Sequence, residues 1–259
     1  MSLTLIASLS AIGLFFGMLV LLEVGRRIGM ARLIRDPEGL AKGVGTVEAA
    51  AFGLLGLLIA FTFSGGASRF EARRHLITEE ANAIGTAYLR IDLLPGDARP
   101  EMRELFRRYL DTRSVTYRNV GDETATKAKL AEAVALQGEI WAKAVSACRR
   151  PEAPGHAAML LLPALNQMID ITTTRVVATQ NHPPLVIYLL LATLSLIGSL
   201  LAGYSMSGNK DRNWLHMVAF VVVLSLAVYV IIDLEFPRLG LIRVDAADQI
   251  LIELRKSMQ

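Results

Sequence analysis

The sequence predicts an all-α, polytopic membrane protein with four transmembrane helices and a helical bundle inserted between spans two and three. Of the 259 residues, 53% are hydrophobic and only 20% are charged, a balance too apolar for a typical soluble domain. No segment shows the alternating pattern of a β-strand. Four windows are long and apolar enough to cross a bilayer, namely Leu3–Leu22, Val44–Phe63, Leu185–Tyr204 and Trp214–Ile232.

The first span, Leu3–Leu22, is expected to remain part of the protein. It has no basic segment ahead of it, its apolar run is too long for a secretory signal, and no small-residue cleavage site follows it. Glu23 closes the span. The basic stretch Gly25–Gly43 is predicted to be a short loop, with Asp36-Pro37 as its turn signal.

The second span is predicted to continue into water as one long helix, because no proline interrupts residues 45–94 and Gly65-Gly66 is the only weak point. At about 100° per residue, two neighbouring stripes run along its membrane part. The first, which we call the small-residue stripe, consists of Ala49, Gly53, Gly56, Ala60 and Ser64. The second, which we call the Glu48 line, consists of Glu48, Phe52, Leu55, Ile59 and Thr62.

These two stripes have two explanations. Small residues let helix backbones approach closely in lipid, so both stripes fit ordinary packing inside a four-helix membrane domain. In the other interpretation, the small-residue stripe packs against a neighbouring subunit and the Glu48 line faces a central axis as a pore lining. For Glu48 itself, an interfacial carboxylate that reaches water is the simpler alternative.

Residues 65–182 are predicted to form a soluble helical bundle built on the extension of the second span, which stops at Pro95-Gly96. Helical periodicity and the turn signals at Gly121-Asp122 and Pro151–Gly155 mark three further helices. Their expected ranges are Asp97 to Val120, Thr124 to Cys148 and Ala157 to Gln180.

Beyond the bundle, Pro183-Pro184 opens the third span, and a short loop leads to the fourth. A short amphipathic helix is predicted from Asp245. The chain is therefore expected to divide into four segments: residues 1–64 with spans one and two, 65–182 with the bundle, 183–236 with spans three and four, and 237–259 as a C-terminal amphipathic tail.

No enzymatic function is predicted, because no nucleophile has a base in its sequence context and no phosphate-binding motif occurs. The four histidines are isolated and none has metal-ligand spacing, so neither a metal nor a cofactor is expected. Cys148 is the only cysteine, which excludes an intrachain disulfide. The net charge of +3 comes from basic residues spread among acids and membrane flanks, which indicates a solvated surface rather than nucleic-acid binding.

Charged residues gather at the edge of the membrane domain, where the second span leaves it and the fourth span ends. Arg69, Glu71 and Arg73 follow the second span, and Asp233 and Glu235 close the fourth. An unpaired carboxylate at such a depth is costly. We therefore predict a membrane-edge charge network in which Asp233 pairs with Arg69 or Arg73.

Two segments behind the second span carry a family resemblance. The first is FSGGASRFEARR, residues 63–74, with Ser68, Arg69, Phe70, Glu71, Ala72 and Arg73 as its matching residues, and the second is EEANAIGTAYLR, residues 79–90. With the layout of two spans, a helical domain, two spans and a short tail, these segments resemble the bacterial bestrophin-like membrane proteins. The first motif is also distantly similar to that of the bestrophin ion channels.

The resemblance implies a homo-oligomeric ion channel of the inner cell membrane whose second span lines the pore, with a pentamer as the assembly to be tested. Its partners would be further copies of the chain, the bilayer and the permeating ions. A ring of Glu48 carboxylates at one mouth would favour cations. The alternative function is a non-conducting membrane sensor or scaffold whose helical domain binds a ligand or a partner protein.

Two opposing signals leave open which side of the membrane carries the helical domain. An even number of spans puts the domain and both termini on one side. The two loops on the other side are rich in arginine and lysine, and the positive-inside rule would make them cytoplasmic. The bestrophin resemblance implies the reverse.

Overall fold

A computed structural model describes residues 3–35, 44–116, 123–208 and 214–258, and no strand occurs in these ranges. The all-α fold class is therefore confirmed. The α-helices are α1 (Leu3–Arg35), α2 (Val44–Leu89), α3 (Arg99–Thr116), α4 (Glu123–Cys148), α5 (Ala157–Gln180), α6 (Leu185–Ser205), α7 (Trp214–Glu235) and α8 (Asp245–Ser257). Short 3-10 turns, Arg90–Leu93 and Met206–Gly208, follow α2 and α6.

Within the described residues, four helical stretches are long and apolar enough to cross a membrane, which confirms the four predicted spans. They are Leu5–Arg35, Gly45–Leu93, Ala157–Gly208 and Trp214–Glu235. The second of them is the long helix expected from the sequence, since α2 runs through Gly65 and Gly66 without a break.

The predicted loop from Gly25 onwards is wrong for residues 25–35, because α1 continues to Arg35. Its glycines are points of close helix approach rather than helix breakers. A Cβ atom at Gly25 would lie 2.9 Å from the carbonyl carbon of Leu200, and one at Gly29 would lie 2.6 Å from the Cβ of Ser207. Glycine keeps both positions open for α6 and for the turn that follows it. The turn signal Asp36-Pro37 lies outside the described residues.

The chain forms two compact units, and the first consists of Met1–Ser68 and His182–Leu241. In it α1 packs against α6 and α7. The approach of α1 and α6 is close enough that a Cβ at Gly203 would overlap the backbone of Leu22. The buried core of this unit is made of Leu14, Met18, Leu22, Leu55, Leu191, Met217, Val221, Val228 and Ile231.

The second unit consists of Arg69–Asn181 and Ile242–Gln259. In it α3 packs against α4 and α8, and α4 packs against α5. The C-terminal helix α8 belongs to this unit because its apolar face is buried there, with Leu251 1% exposed and Leu254 next to Gly85 of α2. Arg255 of α8 also donates to Asp111 of α3 at 2.8 Å and 3.1 Å.

Candidate functional site

The membrane part of α2 is the least covered of the four spanning stretches. Only 6% of its apolar window is buried, compared with 22–28% for the other three. Large side chains on one face of this part of α2 are more than half exposed, namely Val47, Leu54, Leu57 and Phe61. In a membrane such a face needs lipid or another protein surface to cover it.

The middle of the Glu48 line packs inside the single chain. The ring of Phe52 meets the ring of Phe220 of α7 edge to face, with centroids 5.7 Å apart. Gly198 of α6 makes room for the same side chain, since a Cβ there would lie 3.2 Å from Phe52 and 3.7 Å from Leu55. Leu55 is 2% exposed, whereas Phe52 and Ile59 are only partly buried against the same core. This face of α2 is therefore the one turned toward α6 and α7.

Both ends of the Glu48 line carry polar groups with local partners. Glu48 accepts a hydrogen bond from the hydroxyl of Ser205, at the end of α6. The hydroxyl of Thr62 donates to the carbonyl oxygen of Leu58 at 2.6 Å, inside its own helix. Glu48 and Thr62 remain partly exposed. Glu48 and Thr62 are thus the two polar residues of the Glu48 line, and both side chains are still accessible to solvent.

All members of the small-residue stripe, from Ala49 to Ser64, are exposed in the single chain. A Cβ added at Gly53 or Gly56 would meet nothing within 4 Å. No helix of this chain therefore uses the stripe for close packing among the described residues. The contact with a neighbouring subunit that the sequence predicts for this stripe stays a prediction.

At the end of α7, Asp233 and Glu235 are both almost completely buried. Asp233 accepts a hydrogen bond from the backbone N–H of Leu241 at 3.0 Å, and Gly240 leaves space for its carboxylate. Glu235 lies 3.5 Å from Nδ1 of His182, whose ring stacks on Phe236. Asp233 thus binds the turn that follows α7, and Glu235 lies beside the segment that precedes α6, both within the first unit.

The other members of the predicted membrane-edge network lie on α2 in the second unit. Arg73 is 7% exposed and donates to the carbonyl oxygens of Ala178 at 3.0 Å and Asn181 at 2.9 Å. These bonds tie α2 to the end of α5, whose last carbonyls have no partner in the helix itself. Glu71 pairs with Arg74 at 2.9 Å on the surface. The pairing of Asp233 with Arg69 or Arg73 stays a prediction.

The second unit contains a buried ion cluster that sequence reasoning missed. Glu80 of α2 is fully enclosed and accepts hydrogen bonds from Arg113 of α3, at 2.5 Å, and from Arg175 of α5. Charged groups are rarely so deeply buried unless they are paired. The available signal was Arg175 itself, a charged residue on the α5 face that buries Leu161, Leu165 and Met168.

A second group of buried polar side chains lies in the same bundle and involves three helices. The hydroxyls of Tyr109 and Thr172 are 3.1 Å apart, and Nε2 of Gln137 donates to both at 2.9 Å. Tyr109 and Arg113 are one turn apart on α3, and Thr172 and Arg175 are one turn apart on α5. The two groups therefore lie on neighbouring turns of α3 and α5, and together they involve α2, α3, α4 and α5.

Within the described ranges, no three His, Cys, Asp or Glu side chains come together in a group suited to a metal ion. The buried groups are held by arginines, backbone amides and hydroxyls instead. Burial raises the pKa of the Cys148 thiol, so it is a poor nucleophile and a poor metal ligand at neutral pH.

Four apolar spanning stretches and a helical bundle built on the second of them define a polytopic α-helical membrane protein. The family model of the bestrophin-like domain matches residues 12–248. The chain belongs to the bestrophin-like family, as its sequence motifs indicated.

Solved structures show the same fold. A bacterial bestrophin homologue from Klebsiella pneumoniae superposes with a TM-score of 0.65 at 14% identity, covering 95% of this chain and 98% of the homologue. A second variant of that homologue gives 0.62 at 14% identity, covering 92% and 98% of the two chains. A structure described as a membrane protein gives 0.57 at 15% identity, covering 93% and 98%. At such identities the likeness shows the fold alone. No curated protein matches the sequence significantly.

Proposed function

We propose that the protein is a homo-oligomeric ion channel of the inner cell membrane, with α2 as the wall of its pathway. The observation that carries this proposal is the exposure of the membrane part of α2 in the single chain. Membership of the bestrophin-like family and the fold shared with bestrophin homologues support the channel class.

The assembly rests on the small-residue stripe. Gly53, Gly56 and Ala60 are exposed on α2, and nothing in the described chain occupies the space beside the two glycines. Stripes of this kind let two helix backbones approach closely, and van der Waals packing then drives association in lipid. We assign this stripe to the contact between neighbouring copies.

The pathway follows the Glu48 line where that line is still accessible. Glu48 and Thr62 form its polar ends, and Phe52 and Ile59, which are half-buried, form an apolar neck between them. Leu55 is assigned to packing against α6, because its side chain is buried beside Gly198. A ring of Glu48 carboxylates raises the local concentration of cations, so the proposed preference is for cations.

The proposal is tested by reconstituting the purified protein in planar bilayers and counting its subunits by light scattering in detergent. We expect an oligomer that carries a current whose reversal potential under a salt gradient shows cation preference. A monomer, or an oligomer that never conducts at any voltage, would overturn the channel proposal.

A cleft in the second unit favours a second candidate function, in which the helical unit binds a small ligand. The cleft of about 530 Å³ is lined by Leu94, Pro95, Gly96, Asp97, Arg99, Arg150, Glu152 and Pro154. Arg150 donates to Asp97 at 2.5 Å across it. A sensor without conductance would respond to ligands here, so an Arg99→Ala variant that alters ligand binding in a protein that never conducts would favour this candidate.

A further inference from the structure

Arg26 is a buried arginine in the membrane unit whose Nη1 has no hydrogen-bond partner among the residues that the structure describes. It lies on α1, its residue is 5% exposed, and its Nη1 is completely enclosed. Across the described chain, no acceptor lies within hydrogen-bond distance of this Nη1. Arginine is almost never buried in this way unless it is paired, because desolvating the charge is costly.

The nearest acidic side chain along the helix does not remove this problem. Glu23 is the only acidic residue of α1, and its Oε1 accepts from Nε of Arg27 at 3.0 Å. Arg27 is largely exposed and lies next to Arg26 in the sequence. Oε1 of Glu23 thus binds the exposed arginine, and the enclosed Oε2 makes no hydrogen bond to Nη1 of Arg26 within the described ranges.

A second unsatisfied polar group lies close to the same part of α1. The residue Ser207 is 6% exposed, and its Oγ is enclosed without a hydrogen-bond partner in the described ranges. Its Cβ would lie 2.6 Å from a Cβ at Gly29, so it sits directly against α1. Gly29 is one turn beyond Arg26 on this helix. Ser207 therefore lies against the turn of α1 that follows Arg26, and both buried polar groups belong to this end of the membrane unit.

We propose that Arg26 and Ser207 form a binding site for a phosphate-type oxyanion, supplied either by a phospholipid headgroup or by free phosphate. The planar guanidinium offers several N–H donors to such an anion, and a hydroxyl adds one more. Arg32 and Arg35, both exposed on the last turns of α1, would draw anions toward this end of the helix. The site does not depend on whether the protein conducts ions.

The site is tested with the full-length protein by thermal melting. In one arm the Tm is compared between nanodiscs of phosphatidylcholine alone and nanodiscs that also contain phosphatidylglycerol. In the other arm the protein in detergent receives inorganic phosphate or chloride at equal ionic strength. An increase of the Tm in the first arm alone identifies a lipid headgroup, and an increase in the second identifies free phosphate.

The matched variants are Arg26→Gln and Arg27→Gln, which each remove one positive charge from adjacent positions. We expect Arg26→Gln to lose the Tm response and Arg27→Gln to keep it. The loss of charged hydrogen bonds should weaken anion affinity by about tenfold to a hundredfold. A wild-type protein that responds in neither arm, or an Arg26→Gln protein that responds like the wild type, would overturn the proposal.

If Arg26→Gln does not fold, Ser207→Ala takes its place. The variant removes one neutral donor, so its anion affinity should fall by about threefold to tenfold. An affinity equal to that of the wild type would then count against the site.

Discussion

Arg113 of α3 donates from Nε to Oε1 of Glu80 of α2 at 2.5 Å, and neither side chain has any exposed surface. Arg175 of α5 donates to the other carboxylate oxygen of Glu80. One carboxylate thus joins three helices of the bundle. Because α2 also forms the second span, this carboxylate holds the soluble half of that helix in a defined register with α3 and α5.

Glu80→Ala should lower the stability of the protein strongly. The substitution leaves two arginines in a dry core without the carboxylate that they share, and breaking a buried pair in this way costs about 3–5 kcal/mol. The measurement is the thermal melt of the purified protein in detergent. Glu79→Ala is the matched control, because Glu79 is exposed on the same helix. This substitution should lower the free energy of unfolding by less than about 0.5 kcal/mol. Equal melting of the two variants would show that the buried carboxylate is dispensable.

Gly203→Ala should destabilise the membrane unit. A Cβ at this position overlaps the backbone of Leu22, so α1 and α6 must move apart and lose contacts along their shared face. Overpacking of this kind typically costs about 1–3 kcal/mol. Gly13→Ala is the control, because a Cβ there meets nothing within 4 Å. If both variants have the same Tm as the wild type, the close approach of α1 and α6 contributes little to stability.

The spans and the long second helix could be predicted because each rests on a strong local signal. Apolar runs of sufficient length identify spans regardless of what they pack against. The prediction of a loop from Gly25 onwards was wrong because it depended on a contact that the local sequence does not show. Judged from the neighbouring sequence alone, Gly25 and Gly29 suggest the end of a helix. Their actual role is to let α1 approach α6 and the turn after it, and the local sequence carries no information about that contact.

The buried ion cluster around Glu80 could not be predicted from the sequence for a related reason. The adjacent acids Glu79 and Glu80 lie on different faces of α2, as helix geometry requires, and Glu79 is exposed while Glu80 is buried. Helical periodicity places Glu80 on the face of Ile77 and Ile84, which are both buried. It does not show which side chains of other helices meet that face, so the arginines that pair with Glu80 become visible only once the bundle is assembled.

Gly56→Leu should weaken assembly without unfolding the chain. Gly56 is exposed and has open space beside it, so the single chain can accommodate a larger side chain there. A leucine on the small-residue stripe would keep neighbouring backbones apart and reduce their packing. Light scattering in detergent should show a shift toward smaller species at an unchanged Tm. Leu57→Phe, on the exposed face beside the stripe, is the control and should assemble like the wild type.

Glu48 is expected to set the ion preference of the proposed channel. Glu48→Gln removes a carboxylate from one mouth and keeps the acceptor for the Ser205 hydroxyl, so the fold should persist. A unit charge acting at about 4 Å in water contributes about 1 kcal/mol, so the cation preference should fall by about fivefold or less. Reversal potentials under a salt gradient measure this change, with Glu79→Gln as the control for a carboxylate elsewhere on α2.

Cysteine accessibility locates the pathway along the same line of α2. In a Cys148→Ser background, a cysteine at Thr62 should react with a water-soluble thiol reagent and block the current, because Thr62 is partly exposed. A cysteine at Leu55 should not react, because Leu55 is enclosed beside Gly198 of α6. If the cysteine at 62 stays unmodified in a conducting oligomer while one at Gly53 reacts and blocks, the small-residue stripe lines the pathway and the Glu48 line serves only to pack α2 against α6 and α7.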